Sequence, residues 1–134
     1  MPTHDPTATG VIADVVEKYD TDLVELRRDL HRHPELSWSE LRTAQRTSAL
    51  VEEAGWTLRR YSRTGFAADL GSGESLVALR ADMDALPVQD LTEDPWVSSV
   101  PGVAHACGHD VHTSALVGAA LALAEVHELG RAHV

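Results

Sequence analysis

A short polar stretch at residues 105–112, HACGHDVH, contains the residue types best suited to chemistry, and a long apolar run follows it. Cys107 and His109 are two residues apart, so an extended or looped backbone would point both side chains to the same side. Thiolate and imidazole both bind zinc and its neighbours in the first transition series. The stretch predicts a metal site at a helix start. The spacing is also compatible with a small buried cysteine among hydrogen-bonded loop histidines.

The residues around this pair are suited to support it. Gly108 permits a backbone conformation that other residues resist. Asp110 and His112 could be further ligands, or could orient the ligating imidazole. Thr113 or Ser114 could cap the helix that follows.

A second candidate is the acid pair in RADMDALP, which follows an apolar segment. On a strand, Arg80, Asp82 and Asp84 would share one face. Burying two adjacent carboxylates is costly unless a cation or a proton compensates them. A divalent metal, Arg80 or a histidine could do so at the end of a strand, where open α/β sheets bind their ligands. Alternatively, the strand frays into solvent and both aspartates are hydrated.

His31 and His33 form a third candidate, beside a proline in HRHPEL. Their spacing would also suit two metal ligands. We favour a structural role, in which they cap and pack the end of the first helix, because nothing in the spacing links them to the other histidines.

Two helices are predicted before these acids. Apolar residues recur at helical spacing over residues 11–31, with a bend or interruption near residues 19–22. Ser37 and Glu40 have the spacing of a capping box for a second helix, which Gly55 would end.

Strands and a final helix are predicted from there on. Residues 56–62 and 64–71 predict two strands, and residues 75–87 predict a third that is buried on both faces at its apolar start. A long loop over residues 88–103 precedes a buried helix over residues 113–129. This order of elements indicates α/β or α+β layering.

Composition narrows the class of protein. The 134 residues suit one domain or part of one, and the formal net charge of −10 argues against binding nucleic acid or anionic membranes. The longest apolar run is about half of the ~20 residues that span a bilayer, and residues 1–10 predict a disordered leader rather than a signal peptide. A single cysteine beside histidines favours a reducing compartment, so we expect a cytoplasmic protein.

Together the motifs resemble the amidohydrolase branch of the family-20 metallopeptidases. The resemblance rests on LRRDLHRHPELSWSE, the TG at residues 64–65, LRADMDALP, and PGVAHACGHDVHTSALVGAALALAE, in that order. That branch includes hippurate hydrolases, aminoacylase-like enzymes, auxin-conjugate hydrolases and N-acetyl-diaminopimelate deacetylases. The resemblance implies an α/β/α sandwich catalytic domain, interrupted by a smaller lid or dimerisation domain. Residues 11–134 would be the N-terminal portion of that catalytic domain.

The resemblance also implies a chemistry and a set of roles. It implies metal-assisted hydrolysis of an N-acyl amino acid or related small amide by a homo-oligomer holding two divalent ions, with zinc, manganese, cobalt or nickel as candidates. Cys107 and His109 would be metal ligands. Alignment on the following proline makes Asp84 the catalytic aspartate, with Asp82 the second choice. Asp110 and His112 would have supporting roles.

Other parts that the resemblance implies do not occur in this sequence. The general-base glutamate, the remaining ligands and the lid are expected further downstream, and we do not assign the glutamate's role to Glu125 or Glu128. We therefore expect a truncated chain that binds metal weakly, hydrolyses nothing at a useful rate and exposes apolar surface. A non-catalytic paralogue or small metal-binding module is the alternative. A thiol enzyme using Cys107 with a nearby histidine would leave the acid pair unexplained.

Overall fold

The computed structural model describes residues 8–74 and 77–131. Within these ranges the chain forms three helices and a two-stranded sheet: α1 (Ala8–Arg32), α2 (Leu41–Glu53), β1 (Thr57–Arg60), β2 (Phe66–Asp69) and α3 (His109–Arg131). This combination of helices with a sheet confirms the α/β class.

Helix α1 is longer and more regular than its predicted range. It begins at Ala8, inside the predicted leader, and runs without a break through residues 19–22. The predicted interruption is wrong because the apolar period continues across it, with Val15, Leu26 and Leu30 all buried. The rest of the predicted disordered leader lies outside the described residues.

Helix α2 begins close to its predicted position but has a different cap. The predicted capping box is wrong: Glu40 occupies the N-cap position and makes no side-chain cap hydrogen bond. The Glu35 carboxylate instead accepts the backbone N–H groups of Arg42 and Thr43, at 2.9 and 2.6 Å. It thereby satisfies two of the N–H groups that every helix start leaves without a partner.

The two predicted strands form an antiparallel hairpin. Gly55, with φ +99°, follows the end of α2 as expected for a helix C-cap glycine. β1 and β2 then pair from Thr57 opposite Asp69 to Arg60 opposite Phe66. Each strand has four residues and is shorter than predicted.

The predicted third strand does not form over its described residues, 77–87. Residues 77–84 have no regular secondary structure, and the Val77 and Leu79 side chains are 80% and 57% exposed. Past them lie only isolated bridges, Leu36 with Ala85 and Leu86 with Ala104. The prediction used apolar content alone, whereas a strand also needs a neighbour to satisfy its N–H and C=O groups. No strand within the described ranges lies beside this segment.

The core lies between α1 and α3, with α2 and the hairpin packed at its side. Its buried centre comprises Leu26, Leu30, Val51, Val117 and Ala120. The two long helices approach closely where α3 has a glycine, since a Cβ at Gly118 would lie 2.9 Å from Leu23 Cδ1. This packing sets the first turn of α3 beside the last turns of α1.

Over residues 8–74 and 77–131, no helix combines the length and apolar character needed to cross a bilayer.

Candidate metal site

The turn that carries Cys107 is shaped by a glycine with positive φ. Gly108 has φ +84°, a conformation that favours glycine, and α3 begins at the next residue, His109. Cys107 is therefore exposed on the turn, while His109 lies in the first turn of the helix. The predicted caps Thr113 and Ser114 are wrong, because the helix starts four residues before the first of them.

His109 is held by Asp84. Its Nδ1 lies 2.9 Å from the Asp84 backbone oxygen and 3.0 Å from Asp84 Oδ1. Ser37 donates its hydroxyl hydrogen to the other carboxylate oxygen at 3.2 Å. Carbonyl and carboxylate oxygens only accept, so Nδ1 carries the hydrogen and, in the neutral imidazole, Nε2 keeps its lone pair. A carboxylate bonded to one nitrogen of a metal-binding histidine, with the other nitrogen left for the ion, is a common arrangement.

Asp82 has a different environment from Asp84. Its carboxylate lies 2.8 Å from Arg80, and these two side chains are 47% and 85% exposed. Its backbone oxygen accepts the hydroxyl of Thr113 at 3.0 Å. The expectation that Arg80, Asp82 and Asp84 share a strand face is wrong, because this segment forms no strand. Arg80 forms an ion pair with Asp82, whereas Asp84 is hydrogen-bonded to His109.

Asp110 and His112 follow His109 but point to different surroundings. Asp110 is 1% exposed, and its Oδ2 lies 3.0 Å from Arg27 Nε and 2.7 Å from His31 Nδ1. The contacts of the Asp110 carboxylate are thus with side chains of α1. His112 is exposed, with its ring centroid 5.9 Å from that of His109.

His31 is joined to this region by contacts that the sequence analysis missed. Beyond Asp110, its Nε2 lies 3.1 Å from Asp90 Oδ2. Hydrogen bonds from the Ser98 backbone N–H, and then from the backbone and hydroxyl of Thr92, hold the pKa of Asp90 well below its usual range. No local spacing could reveal these partners, because they are 79 and 59 residues away from His31.

His33 behaves as the sequence analysis expected. Its Nδ1 lies 2.9 Å from the backbone oxygen of Asp29, one turn earlier in α1. It therefore caps the helix end and takes no part in the buried contacts of His31.

His105 lies beside these groups and has no polar partner. Its side chain is buried, its ring centroid is 6.4 Å from that of His31, and neither ring nitrogen has a hydrogen-bond partner among the described residues. The hydrogen-bonded loop histidine proposed for this position is therefore wrong. Burial lowers the pKa of His105 and so favours its neutral imidazole, although the negative charge of Asp110 acts in the opposite direction.

The donors around Cys107 suit a soft or borderline divalent ion, but they are few. An exposed thiol and an imidazole whose Nδ1 is already bonded match the ligand chemistry of zinc and its neighbours. Within the described residues, however, no group of three or more histidine, cysteine, aspartate or glutamate side chains has the geometry to hold an ion. The residues present fit part of a metal site.

The fold and these side chains define part of an α/β domain with a candidate metal site at a helix start. In comparison with known proteins, residues 78–134 match the family model for "Peptidase family M20/M25/M40". This match, together with the relatives described below, confirms the resemblance to the amidohydrolase branch of the family-20 metallopeptidases.

Two curated relatives are enzymes. An N-acetylcysteine deacetylase of Bacillus subtilis is 41% identical over 109 residues, covering 78% of this chain and 29% of the deacetylase. An N-acyl-L-amino acid amidohydrolase of Geobacillus stearothermophilus is 41% identical over 120 residues, covering 87% of this chain and 32% of the amidohydrolase.

A solved structure shows the same fold. The chain superposes on the YXEP protein of Bacillus subtilis, a dinuclear metal-binding peptidase of the M20 family, with a TM-score of 0.77 and 39% identity. The match covers 83% of this chain and 32% of that protein. The chain therefore spans less than a third of the length of each of these three relatives. The predicted α/β fold is confirmed, and the chain superposes on part of a peptidase of the M20 family.

Proposed function

We propose that residues 11–134 are the N-terminal portion of the catalytic domain of a metal-dependent amidohydrolase. The substrates would be N-acyl amino acids or related small amides, in line with the names of the relatives. The observation that carries the proposal is the contact of Asp84 with His109 Nδ1, beside the exposed Cys107 on the preceding turn.

Each predicted residue has a role in this proposal. Cys107 and Nε2 of His109 bind a divalent ion, and Asp84 orients His109. Asp110 and His112 support the site, Asp110 through its buried contacts with α1. Asp82 stays the second choice for the catalytic aspartate, because its carboxylate is paired with Arg80 and exposed. A bound ion would supply Lewis-acid polarisation of the amide carbonyl and would lower the pKa of a bound water.

The surroundings of the site are also part of the proposal. Zinc, manganese, cobalt and nickel all suit thiolate, imidazole and carboxylate donors, and the complete active site would hold two ions. The acidic net charge of −10 supports a small-molecule substrate rather than nucleic acid or an anionic membrane. We propose a cytoplasmic enzyme that forms homo-oligomers at full length.

This chain by itself would bind metal weakly and would not hydrolyse amides at a useful rate. The chain supplies two proposed ligands. Catalytic metal sites use three or more protein ligands and leave one coordination position open for water or substrate. Its exposed apolar side chains, among them Val77, Leu79 and Leu91, would favour aggregation.

Protection of Cys107 from alkylation tests the metal site. The reduced chain is treated with iodoacetamide with and without zinc, and alkylation is followed by mass spectrometry. We expect zinc to slow alkylation of the wild type and of His127→Ala, a control at the other end of α3. Zinc should not protect His109→Ala. Equal alkylation rates of the wild type with and without zinc would contradict the proposal.

The alternative of a metal-binding module without catalysis is separated by activity. A panel of N-acyl amino acids is incubated with the zinc-loaded chain, and release of free amino acid is measured. Turnover would overturn the expectation that this chain is inactive. Metal protection of the thiol would also argue against a thiol nucleophile. The structure gives that alternative no support, because no hydrogen bond among the described residues joins Cys107 to a base.

A further inference from the structure

A buried cluster of charged groups joins α1, the loop after residue 88 and the first turn of α3. His31 is at its centre, with Nδ1 2.7 Å from Asp110 Oδ2 and Nε2 3.1 Å from Asp90 Oδ2. Arg27 Nε lies 3.0 Å from the same Asp110 oxygen. Because an ionised carboxylate only accepts, His31 donates Nδ1–H to Asp110 in the shorter of its two carboxylate contacts.

Breaking the contacts of this cluster would leave buried charged groups without partners, which would destabilise the fold. The His31, Asp90 and Asp110 side chains are 10%, 4% and 1% exposed, and buried charges without partners are strongly destabilising. Here the Asp110 carboxylate lies against the Arg27 guanidinium, which supplies a compensating positive charge, and the His31 ring contacts both carboxylates. Asp110 Oδ1 and Arg27 Nε have no hydrogen-bond partner among the described residues, so the contacts of His31 with the two carboxylates are what fix the backbone here.

The position of Asp110 gives the cluster a link to the candidate metal site. Asp110 directly follows His109 in the first turn of α3, so anchoring its carboxylate on α1 limits how that turn can rotate. On the other side of the turn, Asp84 holds Nδ1 of His109. The imidazole is therefore fixed both through its own ring and through the backbone that carries it.

We propose that His31 is a positioning residue for the candidate metal site: by donating Nδ1–H to Asp110, it sets the direction in which His109 presents Nε2. This inference rests on the proposed function, because it needs His109 to be a ligand. It assigns to His31 a role that acts through Asp110, without contact with the ion.

Two substitutions separate the two hydrogen bonds of His31. An asparagine carboxamide places its nitrogen near the position of Nδ1, so His31→Asn keeps a donor for Asp110 and loses the contact with Asp90. A glutamine carboxamide reaches the position of Nε2, so His31→Gln keeps the donor for Asp90 and loses that for Asp110. His33→Gln is the matched control, because the ring of His33 bonds to Asp29 in α1 and to no other described residue.

The readout is cobalt(II) binding to the reduced 134-residue chain, followed by the near-ultraviolet charge-transfer absorption of a cobalt–thiolate bond. We expect His31→Gln to weaken cobalt binding about tenfold, within the range seen when a partner of a ligand is lost. His31→Asn and His33→Gln should stay within about twofold of the wild type. A side chain that only filled space would not favour asparagine over the larger glutamine.

Circular dichroism of each variant shows whether the fold is retained. If His31→Gln does not fold, Asp110→Asn replaces it. That substitution keeps the side-chain shape and weakens the same bond, so it should also reduce cobalt affinity. Wild-type affinity in a folded His31→Gln or Asp110→Asn chain would overturn the proposal, and so would an equal loss in His31→Asn.

The proposed function can fail separately. Cys107→Ser should abolish the charge-transfer band, and a wild-type chain without that band would refute the metal site and the positioning role together. A band that depends on Cys107 but is indifferent to His31 would refute only the positioning role.

Discussion

Asp84→Asn tests which of the two neighbouring aspartates belongs to the candidate metal site. The substitution removes the negative charge beside His109 and keeps the size of the side chain. Asp82→Asn is the matched control, two residues away in the same irregular segment. We expect Asp84→Asn to weaken metal binding and Asp82→Asn to leave it unchanged.

The contacts of His109 set the size of the effect. Losing a carboxylate that orients a ligand costs about 10- to 100-fold in metal affinity. Here Nδ1 also lies 2.9 Å from the backbone oxygen of Asp84, which no side-chain substitution removes. The loss should therefore fall at the lower end, about tenfold, or about 1.4 kcal/mol of binding free energy. Asp82 pairs with a highly exposed arginine, and such pairs contribute little.

The measurement is a titration of the reduced chain with cobalt(II), read from the cobalt–thiolate absorption. Urea unfolding of the metal-free variants separates metal affinity from stability. Because the Ser37 hydroxyl also contacts Asp84, a small loss of stability in Asp84→Asn is expected and does not affect the comparison of affinities.

Two results would refute this assignment. If Asp82→Asn weakened cobalt binding and Asp84→Asn did not, the catalytic aspartate would be Asp82, the second choice from the alignment. If both chains bound cobalt like the wild type, the contact between Asp84 and His109 would have no part in metal binding.

Three further predictions concern stability, each measured by urea unfolding. Leu30→Ala, at a fully buried position in the core, should lower the free energy of unfolding by about 3 to 5 kcal/mol. Glu35→Ala should cost about 1 kcal/mol because it removes the cap of α2, whereas Ser37→Ala should cost less, contrary to the capping box. The pKa of Asp90 is lower in the folded chain than its usual value, so its stabilising effect is complete above about pH 4 and is lost as the pH falls. The stability difference between wild type and Asp90→Asn should therefore shrink on acidification; a constant difference from pH 6 to acid would contradict the shift.

Elements whose cause is local could be predicted from the sequence. Helix α1 follows from apolar periodicity and helix α3 from a nearly continuous apolar run. The turn before His109 follows from Gly108, whose φ of +84° suits glycine. The hairpin and the end of α2 at Gly55 are of the same kind. In each case the residues that determine the conformation lie within a few positions of it.

Elements whose cause is distant could not be predicted. Residues 77–84 are apolar enough for a strand, but strand formation depends on a neighbour elsewhere in the chain. The cap of α2 was missed at shorter range: Glu35 lies seven and eight residues before the N–H groups that it accepts, which the spacing of a capping box does not cover. His31 is the clearest case, because its two partners come from a loop and a helix that the sequence places far from it.

The two proposed ligands differ in how far they are prepared for an ion. His109 is fixed by Asp84 at Nδ1 and by the anchored first turn of α3, so binding would cost its side chain little further entropy. Cys107 lies exposed on the turn, and no hydrogen bond among the described residues holds its thiol. Most of the ordering cost of metal binding would then fall on the cysteine side. It follows that substitutions stiffening the turn at residues 106–107 should increase metal affinity, whereas further packing around His109 should change it little.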